Sequence, residues 1–502
     1  MTAPAAAARA LADVPEETWA RLQAELLAQR RQRMIYAPHV DFVHRHAFDA
    51  VRNTLLSAER QPPQPPVPCA VPKGNGPGQR GRHQIHALML PADEALYMLL
   101  CTTAVATAEP VLDRSRVFSS RPATGPEPGL VVPPLQWSRD AATALEHAIA
   151  TTNAQAVVAI DIAECGQRTD RDALTEDLRQ LGLPPGWLGI ADDFWASFAR
   201  CPRPLGVPSG LLANAGFFTV TLRWLDEWCA RQGVPSVRLL DDIVMLADDL
   251  EAGHRLAAAA EAQLAARGFA VNRAKSGVDT MAAFRARRRR QARRRAHPSL
   301  SPAQALARLR ATATDDPQLR SIAEGALARL ARAGDPAALD HVLGQFGAAP
   351  VAARAFAGYV GRFMDDPAVA DRMAAVFVAG TRQFDPWQLA WAISAFQHAP
   401  SLPDPLRSHL ATLAAHKGAA MMLRIAATTV LARFATRAEW AALEAVADAT
   451  RSPHLRAAIA HGLRFRPAGE RTPLLGRWAA RDPQVALVAT ALARQPAPAP
   501  AS

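Results

Sequence analysis

The sequence predicts an α+β domain followed by an all-α helical-repeat domain. Two observations lead to this division. Between residues 154 and 281, short apolar runs typical of strands alternate with segments of helical periodicity. After Pro298 the strand-like runs stop, and helix-like segments joined by short turns continue to residue 493. A length of 502 residues suits two or three domains.

The composition is that of a globular protein, with 49% apolar and 21% charged residues. No run of about 18 apolar residues is present, so we expect no membrane span. The first residues lack the long apolar stretch of a secretory signal. The five cysteines are odd in number and have no Cys-x-x-Cys spacing, which argues against a disulfide framework or a zinc site. We therefore expect a cytoplasmic protein.

Residues 1–34 are predicted to form an N-terminal helical segment. Trp19, Leu22 and Leu26 recur there at helical spacing, which indicates an amphipathic helix. The segment 60–81 is rich in proline and glycine, and we interpret it as an irregular loop.

Residues 35–283 are the predicted α+β domain. Its clearest elements are a buried strand at 157–160, a helix at 214–231, an apolar stretch at 237–246 and a helix at 251–268. The last of these helices ends at Gly268, the residue type favoured just beyond a helix C-terminus.

Residues 300–495 are predicted to form HEAT-like helical repeats. Asp-Pro pairs recur there, and each marks a helix start because aspartate suits the N-cap and proline the first helical position. Three of the four gaps between the pairs are 19 residues, so a helix pair recurs about every 38 residues. A plain helical bundle is the alternative, and residues 496–502 read as a disordered tail. The pairs begin at Asp316, Asp335, Asp366, Asp385 and Asp404.

Three carboxylates stand in unusual places in the α+β domain. Asp161 directly follows the buried strand 157–160, and Asp241-Asp242 interrupt an apolar run. Two adjacent charges are costly to bury inside one strand, so we expect a hairpin with the acid pair at its tip. If the two strands are neighbours, all three carboxylates meet at one edge of a sheet. The alternative is a pair of ordinary surface turns.

Converging carboxylate oxygens suit Mg²⁺, which prefers oxygen ligands and keeps waters or phosphates in its shell. Two such ions about 4 Å apart activate an attacking hydroxyl and stabilise a leaving pyrophosphate. The pattern therefore predicts a two-magnesium site for nucleotide chemistry.

A basic run accounts for most of the net charge of +11. The sequence FRARRRRQARRR, residues 284–295, holds eight arginines and no acid, and we interpret 284–299 as an arginine-rich linker. Such a run attracts polyanions by releasing counterions, and nucleic acid is the common partner. The alternative is a solvated flexible linker. The predicted nucleic-acid contacts are Arg287, Arg288, Arg289, Arg290, Arg293, Arg294 and Arg295.

Four segments resemble motifs A, B, C and D of reverse transcriptases, in the right order. They are VVAIDI, GVPSGLLAN, VRLLDDIVML and GFAVNRAKS. Further upstream, Val71-Pro72-Lys73 resembles a segment of the polymerase fingers. The resemblance covers residues 35–280 and is greatest to the group II intron, retron and abortive-infection or defence-associated enzymes of bacteria.

The resemblance implies a right-hand palm and fingers in residues 35–283. It implies Mg²⁺ ligation by Asp161, Asp241 and Asp242, with Ile162 contributing through its backbone. It also implies that Arg238 stands where the family has an arginine before its acid pair. Lys275 would neutralise or protonate the leaving pyrophosphate. The implied nucleotide contacts are Lys73, Arg82, Gly166, Ser209, Asn214 and Lys275.

The chain departs from the family pattern at three points. Leu239 replaces the aromatic residue before the acid pair, and Cys165 and Gly166 replace the aromatic pair after Asp161. Motif B is also one residue short before Ser209. In the family the second aromatic excludes a 2′-hydroxyl, so Gly166 predicts weaker discrimination against ribonucleotides.

The leading hypothesis is an Mg²⁺-dependent RNA-directed DNA polymerase that uses dNTPs on an RNA or DNA template and acts in antiphage defence. Its helical repeats would bind a partner protein or a second copy of the chain. The competing hypothesis is a decayed palm that acts as a nucleic-acid-binding scaffold. A third is a repeat protein whose resemblance to a palm is accidental.

Overall fold

The structure is a computed structural model that describes residues 3–30, 34–74, 83–123, 129–201, 206–208, 210, 214–295 and 300–495, with backbone alone for 3–4 and 291–295. Its chain forms two compact units. Unit 1 comprises Met1–Arg31, Arg52–Pro66 and Asp93–His297, and unit 2 comprises Gln32–Val51, Val67–Ala92 and Pro298–Ser502. None of the described helices is both long and apolar enough to span a membrane.

The described strands belong to a hairpin and a larger sheet. The strands are β1 Val67–Pro72, β2 His83–Leu88, β3 Val117–Phe118, β4 Ala156–Ala163, β5 Ser236–Leu239, β6 Asp242–Ala247, β7 Ala270–Val271 and β8 Gly277–Thr280.

The helices up to the arginine-rich segment are α1 Ala3–Ala12, α2 Glu16–Gln29, α3 Pro38–His46, α4 Phe48–Leu56, α5 Pro91–Ala108, α6 Pro134–Thr151, α7 Cys165–Arg168, α8 Arg171–Gln180, α9 Pro185–Ala199, α10 Asn214–Thr221, α11 Arg223–Arg231, α12 Leu250–Ala266 and α13 Met281–Arg295. The later helices are α14 Pro302–Ala311, α15 Leu319–Ala333, α16 Leu339–Gln345, α17 Ala353–Val360, α18 Pro367–Gly380, α19 Pro386–Ser394, α20 Asp404–Ala415, α21 Met421–Phe434, α22 Arg437–Ala449, α23 Pro453–Gly462, α24 Ala468–Ala479 and α25 Pro483–Arg494.

Unit 1 is built around a mixed sheet with strand order β3-β5-β6-β4-β7, and β8 also pairs with β4. One face carries Val158, Ile160 and Ile162 of β4 and packs against α11 and α12. The other face carries Val157 of β4 and packs against α6 and α13. Side chains alternate between faces along a strand, so each strand serves two cores. The α+β prediction for this part of the chain is confirmed.

Several predicted elements of unit 1 are present with shifted limits. The helix predicted in 1–34 is α2, with Trp19, Leu22 and Leu26 buried. The strand predicted at 157–160 is the longer β4, so Asp161 lies within it. The helix predicted at 214–231 is divided at Leu222 into α10 and α11. Gly268 follows α12 with φ of +79°, as its predicted position after the helix requires.

Unit 2 consists of two helical layers and the β1–β2 hairpin. Among α14–α25, the odd-numbered helices contact one another in series from α15 to α25, and the even-numbered helices do so from α16 to α22. The hairpin contacts α19 and α21, and α3 contacts α23 and α25. The described part of 300–495 is helical, as predicted, and contains no strand.

The Asp-Pro pairs mark helix starts with different accuracy. Asp366 caps α18 by accepting a hydrogen bond from the Ala368 N–H at 2.9 Å. Asp385 precedes α19, and Asp404 is the first residue of α20. Asp316 and Asp335 lie a few residues before α15 and α16, because a turn intervenes. The Asp-Pro pattern therefore predicted that a helix begins near each pair, but it did not always predict the first residue of that helix.

One interpretation of local structure was wrong. The segment 60–81 is not irregular throughout, since 67–72 form β1, paired in antiparallel register with β2. The segment 284–295 of the predicted linker is helical in α13. The units also differ from the predicted continuous domain 35–283, because 32–51 and 67–92 group with the C-terminal helices. The predicted tail 496–502 lies outside the described residues.

Candidate active site

The acid pair lies in a tight hairpin of unit 1. Strands β5 and β6 pair antiparallel, with Leu239 opposite Asp242, so the turn consists of Leu240 and Asp241. Leu240 has φ of +58°, whereas Asp241 does not have a positive φ. A positive φ within the turn is typical of the tight two-residue turns that join antiparallel strands. The predicted hairpin is confirmed, with Asp242 as the first residue of β6.

The two strands bring Asp161 and Asp242 side by side. Strand β4 pairs antiparallel with β6, and Asp161 is directly opposite Asp242 in the register. Both residues are on the face opposite to α11 and α12, since Ile160 and Ile243 beside them pack into that other core. The Ile162 N–H donates to the Asp241 carbonyl at 3.3 Å, which ties the turn to β4.

The segment 272–276 holds Asp161 at four points. The Asn272 side-chain amide donates to Asp161 Oδ1 at 2.7 Å, and Lys275 Nζ lies 2.9 Å from Oδ2. The Asn272 N–H donates to the Asp161 carbonyl at 2.8 Å, and the Asp161 N–H donates to Ser276 Oγ at 2.9 Å. The side chain of Asp161 is largely buried, with 12% exposed. These contacts fix both the backbone and the carboxylate of Asp161.

The cluster carries an excess of negative charge. Partial burial and the charges of Asp241 and Asp161 raise the pKa of Asp242 to about 6. Burial opposes a charge on Lys275, but its hydrogen bond to Asp161 and the three carboxylates outweigh this and raise its pKa. Lys275 thus supplies one positive charge to a cluster of three carboxylates.

These residues fit a magnesium site of the open type. Among the described residues, no three histidine, cysteine or carboxylate groups are placed to bind one ion by themselves. Mg²⁺ does not need them, because it is usually held by one or two carboxylates together with waters and substrate phosphates. The adjacent Asp161 and Asp242 provide such a pair. Burial raises the pKa of Asp242 most, and the repulsion from Asp241 and Asp161, which a divalent cation would relieve, raises it further.

Gly166 lies in α7, and a side chain has no space there. A Cβ atom at this position would be 2.5 Å from the Val207 carbonyl oxygen and 3.0 Å from the Phe218 ring. The Val207 N–H donates to the Gly166 carbonyl at 2.7 Å. The space that an aromatic residue would occupy is therefore filled by Val207 and Phe218. The expectation about ribonucleotides stays a prediction and now depends on these two residues.

The remaining predicted nucleotide contacts lie in different surroundings. Asn214 is buried at the start of α10, and its side-chain amide donates to the Pro208 carbonyl. Lys73 is exposed directly after β1, in unit 2. Arg82 and Ser209 lie outside the described residues.

The arginine-rich segment belongs to α13. Met281 and Phe284 anchor the helix in the core that it shares with α6. Arg287 is ion-paired with Asp279, and Arg288 lies 2.6 Å from Glu146. Arg289 and Arg290 are exposed. The side chains of Arg293, Arg294 and Arg295 lie outside the described residues.

Sequence reasoning assigned no role to two residues that organise this site. Asn272 was part of the motif D resemblance, and its spacing from Lys275 was the available signal. Asp226 forms a buried ion pair with Arg238, at 2.6 Å. Nothing in the sequence pointed to Asp226, because the pair joins a helix and a strand that only the fold brings together.

Comparison of the chain with models of protein families and with curated proteins finds no match. A functional proposal therefore depends on the motifs and on the geometry described above.

Proposed function

We propose that the chain is an RNA-directed DNA polymerase, a reverse transcriptase that uses Mg²⁺ and dNTPs. The observation that carries the proposal is the direct pairing of Asp161 with Asp242 in adjacent strands, with Asp241 in the connecting turn. Three of the four motif-like segments meet in this one region: A is in β4, C is the hairpin, and the end of D holds Asp161. An accidental resemblance would have no reason to bring A, C and D together.

The residues divide the work as follows. Asp161, Asp241, Asp242 and the Ile162 backbone would hold two Mg²⁺ ions, which activate the primer hydroxyl and stabilise the leaving pyrophosphate when bound. Asn272 orients Asp161 through Oδ1. Lys275 holds Oδ2 and, on its exposed and flexible side chain, is available to a pyrophosphate. Val207 and Phe218 would line the sugar side of the nucleotide pocket, while Lys73, Arg82 and Ser209 stay candidates for nucleotide contacts.

The template and product would contact α13. This helix presents several arginines on one segment, and its described acidic partners are Asp279 and Glu146. The remaining positive charge favours a nucleic-acid backbone through counterion release. Binding through α13 is expected to weaken steeply as salt concentration rises.

The helical layers of unit 2 are proposed to be a HEAT-like repeat array. Contacts between alternate helices, as seen from α15 to α25, are typical of solenoids, in which each repeat packs on its neighbours. Such arrays offer extended binding surfaces, so unit 2 would bind a partner protein or a second copy of the chain. We propose a cytoplasmic protein of antiphage defence, by resemblance to the abortive-infection enzymes.

A nucleic-acid-binding scaffold is the second candidate. The observation that favours it is that Asn272 and Lys275 already bind both carboxylate oxygens of Asp161. Leu239, in place of an aromatic residue, is consistent with a palm that no longer polymerises. In this case α13 would bind nucleic acid without synthesis.

Nucleotide incorporation by the purified full-length protein separates the two candidates. Labelled dNTPs and rNTPs are supplied with Mg²⁺, first without added template and then with co-purifying nucleic acid. We expect polymer from dNTPs that is lost in Asp241→Asn/Asp242→Asn. A matched control is Asp192→Asn/Asp193→Asn, which alters two acids that are consecutive in the sequence of α9. This control should leave synthesis unchanged. Tight nucleic-acid binding without polymer in any condition would favour the scaffold.

A further inference from the structure

Arg238 is almost completely buried, with 1% of its surface exposed. Its guanidinium forms a two-point ion pair with Asp226 of α11: Nε donates to Oδ1 at 2.8 Å and Nη2 to Oδ2 at 2.6 Å. A buried arginine requires such a partner because its charge is costly to remove from water. The pair is therefore electrically satisfied by itself, and Arg238 is not needed as a counter-ion for the carboxylates of the site.

The other donors of Arg238 reach two further elements. Nη1 donates to the Leu240 carbonyl at 2.9 Å, and Nη2 also donates to the Thr219 carbonyl of α10 at 3.3 Å. One planar group thus joins α10, α11 and the turn of the hairpin. A lysine at this position would have a single nitrogen and could not reach all three partners in the same plane.

The turn needs such support because of its backbone conformation. Leu240 has φ of +58°, which residues with a side chain rarely adopt unless their surroundings hold them there. Its N–H donates to the Phe118 carbonyl at 3.3 Å, and its carbonyl accepts from Arg238. Both polar backbone groups of Leu240 are therefore fixed from outside the turn. The next residue is Asp241, and Asp242 follows it.

We infer that Arg238 and Asp226 are positioning residues that fix the Leu240 turn and thereby the direction of the Asp241 and Asp242 carboxylates. This inference rests on the proposed function for its importance, since it assigns the pair to that same site. The positioning role itself does not depend on polymerisation. Without the hydrogen bond from Arg238 to the Leu240 carbonyl, the turn relaxes and the acid pair loses its alignment with Asp161.

The test uses a double variant, Arg238→Met/Asp226→Leu, in the full-length protein. Replacing a buried ion pair as a whole by apolar residues of similar volume usually preserves folding, whereas removing one partner does not. Hydrogen–deuterium exchange of the peptide 236–247 reports on the turn, and binding of Mn²⁺, followed by electron paramagnetic resonance, reports on the carboxylates. We expect at least tenfold faster exchange in that peptide and at least threefold weaker Mn²⁺ binding, with helix content unchanged.

Arg238→Lys provides a second variant if the double variant does not fold. It keeps the charge and should still show faster exchange of 236–247, because one ammonium nitrogen cannot hold Asp226, the Leu240 carbonyl and the Thr219 carbonyl in the same plane. The control Arg60→Met/Asp193→Leu removes another ion pair of unit 1, between residue 60 and α9, and should change neither measurement. Unchanged exchange and unchanged Mn²⁺ binding in a folded variant would overturn the inference.

Kinetics distinguish this inference from the proposed function. If the chain polymerises, the variants should lower kcat at saturating Mg²⁺ more than they raise KM for the nucleotide, because alignment of the acids limits the chemical step. If the wild-type protein makes no polymer, the proposed function fails. Exchange and Mn²⁺ binding still decide the positioning role of Arg238 and Asp226.

Discussion

The two units bury different kinds of ionisable side chain. Among the described residues, the buried acids of unit 1 are Glu25, Asp93, Glu94 and Asp161, and the buried histidines all belong to unit 2, namely His39, His44, His86, His454 and His461. In the part of unit 2 that the structure describes, one acid is buried, Asp482, which pairs with Arg456 at 2.6 Å. Burial favours the neutral form of either group.

This difference predicts opposite responses to pH. Where a carboxyl stays protonated in the folded state, the free energy of unfolding of the protein falls as pH rises. Where an imidazole stays neutral in the folded state, the free energy of unfolding falls as pH falls. At Asp93 of unit 1 the folded state should lose stability as pH rises toward 7, and at His461 of unit 2 it should lose stability as pH falls below 6.5. A single-residue change in each unit can test this difference.

The largest effect is expected at Asp93, in the first turn of α5. Burial raises its pKa to about 7, although the Gln64 N–H, 3.1 Å from Oδ2, and the charge of Arg60 oppose the shift. The unfolded chain titrates near 3.8, so the contribution to stability is complete below that pH and declines as pH rises to 7. The decline is about 1.4 kcal/mol per pH unit, on the order of 4 kcal/mol in total.

Asp93→Asn removes this titration while its side-chain oxygen still accepts from Gln64. We expect unit 1 to be stabilised by about 2–4 kcal/mol at pH 8 and little changed at pH 4. Denaturant unfolding at several pH values, with exchange of the 91–108 peptide as the reporter for unit 1, measures this. Glu59→Gln, at an exposed acid of the same unit, is the control. Equal stability of Asp93→Asn and wild type at pH 8 would show that Asp93 is ionised without cost.

A smaller effect of opposite sign is expected at His461 in α23. Burial lowers its pKa well below 6.5, and the neighbouring Arg464, His39 and His46 act in the same direction. Its Nε2 lies 2.6 Å from Arg464 Nη1, so the neutral ring accepts from the guanidinium. The contribution to stability is complete above 6.5 and falls as pH drops below it, by about 1.4 kcal/mol per pH unit.

His461→Gln keeps an acceptor for Arg464 and cannot be protonated. From pH 7 to pH 5, we expect wild-type unit 2 to lose more stability than this variant does. Hydrogen–deuterium exchange of the peptide 453–462 over this pH range measures the stability of unit 2. His416→Gln replaces an exposed histidine of the same unit and should keep the wild-type pH dependence. If the stability of unit 2 changes with pH in the same way in His461→Gln and in wild type, His461 is not the group responsible for the loss of stability in acid.

Much of the site was predictable because its signals are local in the sequence. An acid pair inside an apolar run favours a hairpin, and β4 was visible as an apolar run that ends near Asp161. The Asn272 to Ser276 spacing likewise lies within one turn. The hairpin and β4 depend on neighbours along the chain, so periodicity and the cost of buried charge were sufficient to find them. The Asn272 to Ser276 segment was found only through its resemblance to motif D.

The features that were missed depend on contacts between distant segments. The Arg238–Asp226 pair requires α11 to pack on the sheet, and the exclusion of a side chain at Gly166 requires Val207 and Phe218 to approach it. The strand β1 was read as a loop because its prolines mask its pairing with β2. Sequence patterns describe single elements and do not state which of them meet.

The smallest effect concerns Asp161, Asp241 and Asp242, the acids of unit 1 whose charges act on Lys275. The Lys275 ammonium is 2.9 Å from Asp161 Oδ2, so a divalent ion that binds this oxygen has to displace it. Lys275 also reduces the repulsion among the carboxylates and so helps to keep them together. Because its side chain is 65% exposed, the ion pair contributes about 0–1 kcal/mol.

Displacement should outweigh this support, since an arriving divalent cation neutralises the carboxylates more fully than one ammonium does. Lys275→Met is therefore expected to bind Mn²⁺ about 2- to 5-fold more tightly than wild type at constant pH and without nucleotide. Lys275→Arg keeps the charge and should bind nearly as wild type does. Weaker Mn²⁺ binding by Lys275→Met would mean that the ammonium holds the three carboxylates in place for the metal. The acid cluster would then require a neighbouring positive charge even in the metal-free protein.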